Sequence, residues 1–428
     1  MLKTAALCAL LCLAACATHP RMKPDEITQG REAVESLTRE GRTREAWEAY
    51  MSLVARSGVP QFPLLLGPLA AATLVQGLEA DDPPVRADAM RALAEGDQDL
   101  MFAAAVRGLH DSDLRVRTAA VDILRQSGRP EAVELIRPQA YQPVLEQDAT
   151  LETPQMAQAE ELRAHALWGM GALAVKPLPI APGVSAMSSP HEATRVAGAL
   201  ALGQVGDAAA VPSLRHGLRQ DPSRDVQKAS ARALLDLKRR EIVQEFIEDI
   251  VINGSLEQVA WAIEVRAGEG IGPGPRWIRE QSYNPSPEVR AAAAIAMQRI
   301  GVEGARGRLE EMAGAKEPLV QVSAAYALAK LGGKMEVKPI PIIESGLKTA
   351  DAEVRIRMAG YLADLDASAH ANIFGVLQGD PRPDVRLAAV RALGKARPEV
   401  AARFLGQSLG DPDNTVRFTA AAIIRRID

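Results

Sequence analysis

Between residues 86 and 417 one short pattern returns eleven times: an apolar residue, usually Val, then Arg, then small residues and a Leu eight positions on. The clearest copies begin at Val85-Arg86, Val116-Arg117, Val289-Arg290, Val354-Arg355, Val385-Arg386 and Val416-Arg417. Successive second positions stand 31, 46, 32, 32, 31, 32, 31, 34, 31 and 31 residues apart. A unit of that size cannot bury its own apolar face and must stack on its neighbours. An array of this kind lengthens without dividing, so 428 residues do not imply two or three globular domains.

Aromatic residues at 4% are scarce and Ala is abundant, which suits helices in close approach. The first fifteen residues hold one Lys, at position 3, an apolar run from Ala5 to Leu13 and small residues at 14 and 15. This is the layout of a secretory signal over residues 1–15, too short to span a membrane. It ends in Leu13-Ala14-Ala15-Cys16, which resembles the lipobox of bacterial lipoproteins. The resemblance implies cleavage before Cys16, a diacylglycerol on its sulfur and an acylated amino group, enough to hold the chain on a bilayer. An ordinary leader with an incidental Cys16, or an uncleaved anchor, is the other reading.

The three cysteines are Cys8, Cys12 and Cys16, so the mature chain keeps only the modified one and forms no internal disulfide. Ala17 follows the Cys, which by resemblance to enterobacterial sorting implies the outer membrane, facing the periplasm. Loss of a leader with one positive charge takes the net −4 to −5. An acidic, exported chain is a poor nucleic-acid binder, since phosphate contact needs a basic surface.

After a tether over residues 16–24, residues 25–58 show apolar positions at helical spacing on both sides of Gly41. The segment resembles one tetratricopeptide hairpin, with Trp47, Tyr50 and Leu53 on its second helix, and reads as a cap on the array. A separate peptide-binding module is the alternative. The repeats occupy residues 59–428, with an insertion near 137–155 rich in Pro and Gln. Lys176-Pro177-Leu178-Pro179-Ile180 recurs as Lys338-Pro339-Ile340-Pro341-Ile342, a shared variant of a helix entry.

The best unit runs Gly206-Asp207, Val211-Pro212-Ser213-Leu214, then a second helix from Val226 to Leu237. Pro near the start of a first helix loses no hydrogen bond there. Asp82, Asp113, Asp225, Asp384 and Asp413 precede second helices, placed to cap them and to complement the dipole. The whole unit is similar to the short HEAT-type repeat named after phycobilisome lyases, from about residue 62 to 428 less the insertion. That resemblance implies an all-α fold, a right-handed α-solenoid of about eleven HEAT-like helix pairs of the armadillo/HEAT superhelix kind. Segments Leu162–Met170 and Leu256–Val265 depart most from the pattern.

With the Val-like residue of each second helix numbered zero, positions 0, 4, 5 and 8 are apolar or small, which defines the buried face. Position 1, usually Arg, reads as a ladder of pairs with neighbouring Asp and backbone groups. Positions 6 and 10 share a face and vary freely. The resemblance puts the second helices on the concave side, making Arg91, Trp168, Arg232, Tyr326, Lys330, Arg391 and Lys395 the candidate partner-binding residues.

The six His residues (19, 110, 165, 191, 216, 370) show no metal-ligand spacing. His191-Glu192 is a single pair, where HEAT-type di-iron hydroxylases place several. No nucleophile elbow or P-loop is present, and the Gly-rich run 268–274 misses the dinucleotide spacing. The reading is a non-catalytic, lipid-anchored scaffold of the bacterial envelope, with no cofactor and no small-molecule substrate, whose partner is another envelope protein or peptide. The alternative is a phycobilin-lyase-like or other HEAT-family enzyme, or a chaperone-like transferase.

Overall fold

The computed structural model describes residues 22–60, 62–141, 154–173, 180–334 and 336–428. The leader, Cys16, most of the tether, the middle of the insertion and the first of the two Pro-containing helix entries lie outside the described residues. Among the described residues there are 24 α-helices and no strand. A hairpin of Pro24–Arg39 and Thr43–Ser57 is followed by eleven helix pairs, from Pro63–Leu78 with Pro83–Ala92 to Pro398–Ser408 with Asn414–Ile427.

The second helices carry the predicted buried face. Val116, Ala120, Val121 and Leu124 are buried, as are Val289, Ala293, Ala294 and Met297, and Val385, Ala389, Val390 and Leu393. Packing at that face fixes the helices, since isolated helices this short are marginal in water. In the deviant segment Leu256–Val265, position 0 is the exposed Glu257, and burial starts at Trp261 and Ala262. Segment Leu162–Met170 keeps all four positions buried, although its helix, Pro154–Ala172, begins eight residues before position 0. The preceding helix continues to Tyr141 and the next begins at Pro154, so both ends of the segment 137–155 are helical.

Helix ends correct one expectation. Of the five Asp residues proposed as caps, Asp113 accepts from the Arg115 amide and Asp413 from the Val416 amide, while Asp82 stands at its cap position without such a bond. Asp225 and Asp384 lie inside the first turn, where they meet the helix dipole. The cap before Asp225 is Ser223, whose hydroxyl accepts from the Asp225 and Val226 amides. Past one helix end Gly206 takes φ 76°, left-handed; the matching place in the next repeat holds Lys238 at φ 61°, the one such non-Gly residue described.

Two compact units divide the described chain: residues 102–346 form one, and residues up to 101 together with 347–428 form the other. The continuous unit holds two apolar clusters. One gathers Leu202, Leu214, Leu234, Val243, Phe246 and Ile247, and the second Ile278, Val289, Met297, Leu309, Val320 and Leu328.

In the discontinuous unit the last helix, Asn414–Ile427, packs against both helices of the first pair, Pro63–Leu78 and Pro83–Ala92. Phe418 lies so close to Gly77 that any Cβ there would overlap its ring. The first repeat therefore occupies the place a further repeat would take after the last. The hairpin buries Val34, Ala46, Tyr50 and Leu53, and also packs against Pro63–Leu78. Its Trp47 donates an indole N–H to the Gly406 carbonyl at 3.0 Å, with the ring over Gly410, where a Cβ would overlap it.

Candidate protein-interaction surface

Which side chains are open to a partner depends first on which are already used. Four of the position-1 arginines, Arg195, Arg290, Arg355 and Arg386, are used twice. Each lies six residues after a loop residue whose carbonyl it binds: Arg195 Nη1 to the Ser189 carbonyl at 3.0 Å, Arg290 to Asn284 at 2.7 Å, Arg355 to Thr349 at 2.9 Å and Arg386 to Asp380 at 3.0 Å. The other edge of the guanidinium meets an acid in the following repeat. Arg195 pairs with Asp221, Arg355 with Asp380 and Arg386 with Asp411, each through two hydrogen bonds of 2.7–3.1 Å. In turn each Asp accepts from a backbone amide two residues on, those of Ser223, Arg382 and Asp413.

These are bidentate pairs with side chains 6–13% exposed, the geometry in which a charge pair is tolerated largely away from water. Hydrogen bonds donated to the Asp carboxylates raise the pKa of Arg195 and Arg386 from the ordinary guanidinium value, so both stay charged. The expected ladder of Arg with Asp and backbone is thus present. Sequence reasoning missed which acids serve it. They stand six residues before the next position 1, a recurring offset that the sequence does contain.

A second arginine set also went unforeseen. Near the start of first helices, Arg240 donates to the Glu269 and Gly270 carbonyls, Arg279 to Glu303 and Arg306 to Gly332 and Lys334. Each satisfies carbonyls left over at the end of the partner helix. The Gly-rich run 268–274 is held in this way, with the Gly272 amide also bonded to Gln244 at 2.9 Å.

Position 6 is exposed at Arg91, Arg232 and Arg391 but buried at Ile263 and Ala422, and the structure brings some of the candidates together. Arg391 reaches Glu95 at 3.3 Å, although the two belong to repeats separated by the last one. The intervening position 6 is Ala422, which leaves room, and its Cβ approaches Gly96. Arg91, exposed, is held by Asp88 at 3.1 Å. Arg391 and Glu95, from the repeats on either side of the last, thus share one surface across the buried Ala422. Lys395 lies exposed in the turn after Pro383–Leu393.

In the other unit Arg232 is exposed and pairs with Asp236 at 3.4 Å and Glu269 at 3.1 Å. Tyr326, half-buried, and Lys330, exposed, are four apart on Pro318–Leu331. Trp168 is already engaged: the Arg125 guanidinium stacks on its ring at 3.7 Å and His165 meets it edge-on at 6.1 Å. His165 Nδ1 is 2.8 Å from Asp122 Oδ1, and burial pushes the Arg125 pKa down against the pull of Asp122. This cluster locks the helices Leu114–Gln126 and Pro154–Ala172 together, so Trp168 presents an edge where the sequence suggested an open face. Among the described residues no group of His, Cys, Asp and Glu is placed to hold a metal ion. No helix of the described residues is long and apolar enough to cross a membrane.

Comparison with known proteins bears on the architecture. The chain has 18% identity to an engineered protein of known crystal structure, over 83% of this chain and 98% of that one, with a TM-score of 0.27. It is similar at 18% identity to the complex of CpcE and CpcF of phycocyanin lyase from Nostoc sp. PCC7120, over 75% and 93%, with a TM-score of 0.24. Kap95p in its complex with RanGDP has 14% identity over 77% of this chain and 50% of that one, with a TM-score of 0.37. No curated protein matches the chain. The family model for HEAT repeats matches residues 71–147, 154–235, 276–349 and 340–425, which is most of the sequence, and the chain belongs to the HEAT-repeat family.

Proposed function

We propose that this protein is a lipid-anchored scaffold of the bacterial envelope, held to the outer membrane through Cys16, which recognises another envelope protein or peptide through its second-helix face without catalysis. The observation that carries the reading is the surface shared by position-6 and position-10 residues of different repeats. Arg391 reaches past Ala422 to Glu95, so side chains that vary between repeats share one surface, while the recurring positions are consumed by packing and by the arginine ladder. Variable residues on an invariant frame are how stacked-repeat proteins present a specific partner surface. The leader and Leu13-Ala14-Ala15-Cys16 support the anchoring.

Two experiments test the proposal. Mass analysis of the protein purified from membranes should find an acylated terminus at Cys16, and Cys16→Ser should move the protein to the soluble fraction. An unmodified terminus removes the anchor from the reading. Detergent-solubilised envelopes should yield a partner with the native chain that is lost when Arg232, Lys330 and Arg391 are all changed to Glu. Equal recovery by both forms rules the second-helix face out.

A further inference from the structure

One repeat breaks the pattern in a way that its own packing does not explain. The pair Arg240–Asn253 and Leu256–Glu269 falls in the stretch 236–275 that the family model leaves unmatched. At the place where Asp221, Asp380 and Asp411 receive an arginine from the preceding repeat, it has Ile252, 78% exposed. The preceding position 1 is correspondingly Gln227, which keeps only the bond to the Asp221 carbonyl, at 2.9 Å, and leaves its own buried Oε1 without a partner. A rung is lost, a buried oxygen is unsatisfied and an Ile faces water, so the fold gains nothing from the exchange.

Ile252 has company. Across the turn from it Leu256, the first residue of the next helix, is 50% exposed, and Tyr283 is 61% exposed on the corresponding loop of the next repeat. These are three of the seven exposed large hydrophobic residues of the described chain, and they stand at or beside corresponding turns of two consecutive repeats. Such clustering, unlike a single exposed Leu, marks a contact surface. The rim has a definite charge. Asp249 and Glu257 project outward with side chains 60% and 82% exposed, beside exposed Asp225 and Glu288. The nearby bases are drawn inward: Arg219, 28% exposed, on Asp249; Arg224, 31% exposed, on Glu257; and Arg308 stacked flat on Tyr283 at 3.7 Å.

We infer that the loop edge formed by Ile252, Leu256 and Tyr283 is a second docking surface, separate from the second-helix face, and that its partner is a basic protein segment carrying aliphatic anchors. The apolar side chains supply the area that is dried on binding, and the acidic rim selects Lys and Arg around the anchor. The same rim repels an anionic bilayer.

The test uses the purified full chain and three labelled synthetic peptides, one of Leu and Lys, one of Leu and Glu and one of Ser and Lys, read by fluorescence anisotropy. The Leu-Lys peptide should bind best. Ile252→Asp combined with Leu256→Asp should weaken it by about tenfold or more, while Ile252→Val stays within about twofold. Because Ile252 is 78% and Leu256 50% exposed, thermal unfolding should change little in both. Leu64→Asp, at an exposed apolar residue of the other unit, and Arg232→Glu with Lys330→Glu, on the second-helix face, should bind as wild type does. Equal binding by the double-Asp variant, equal binding of the Ser-Lys or Leu-Glu peptide, or a preference for phosphatidylcholine vesicles over every peptide overturns the inference.

Discussion

The arginine ladder runs differently in the two units. Where the chain's beginning and end are joined, consecutive rungs Arg355–Asp380 and Arg386–Asp411 are complete, with side chains 6–11% exposed. Residues 102–346 hold one equivalent rung, Arg195–Asp221, and lack it elsewhere: Arg117 and Arg163 meet Ala157 and Ser189 at the acid's place, Gln227 precedes Ile252, Gln258 precedes Asn284, and Arg290 turns to the more exposed Glu317. At Gln227–Ile252 and Gln258–Asn284 the arginine and its acid are absent together. Losing only one would strand a buried charge at a cost of several kcal/mol, whereas losing both is close to neutral. The repeat can therefore give up a rung cheaply, and the edge so released is where the apolar docking surface stands.

The comparison makes predictions that differ in size. The largest effect should come from Asp411→Ala, which strands Arg386 and should cost about 3 kcal/mol in chemical denaturation; at the equivalent place in the other unit, Ile252→Ala should change stability by less than about 0.5 kcal/mol. Equal effects would abolish the distinction. Next, Gly410→Ala forces a methyl into the Trp47 ring and should destabilise the discontinuous unit by about 2 kcal/mol, with a shift in Trp fluorescence. Installing the missing rung with Gln227→Arg and Ile252→Asp should give a favourable coupling of about 1–2 kcal/mol in a double-mutant cycle, with Gln227→Arg alone destabilising. The smallest change should be Lys238→Gly, which relieves a left-handed residue and should gain about 0.5–1 kcal/mol in thermal unfolding.

Much of this order was legible in the sequence, for a physical reason. Burial at positions 0, 4, 5 and 8 repeats with the helix, so Val385, Ala389, Val390 and Leu393 declare their face locally. The ladder was legible by half. Arg386 announces itself, but its acid lies 25 residues ahead and is recognised only once the stacking of one repeat on the next is known. Trp168 read as an open anchor because Arg125, 43 residues before it, gives no sign of lying across its face. Least legible of all was the Trp47 bond to Gly406, spanning 359 residues, for which no periodicity holds a signal.

That bond bears on how the molecule responds to load. A linear array frays from its ends, because each terminal unit has a single neighbour. Here the first and last repeats steady one another, and the chain leaves this unit at residue 101 and returns to it at 347. Tension applied at the amino end would therefore load the hairpin first, where the Trp47 bond to Gly406 ties it to the last repeat.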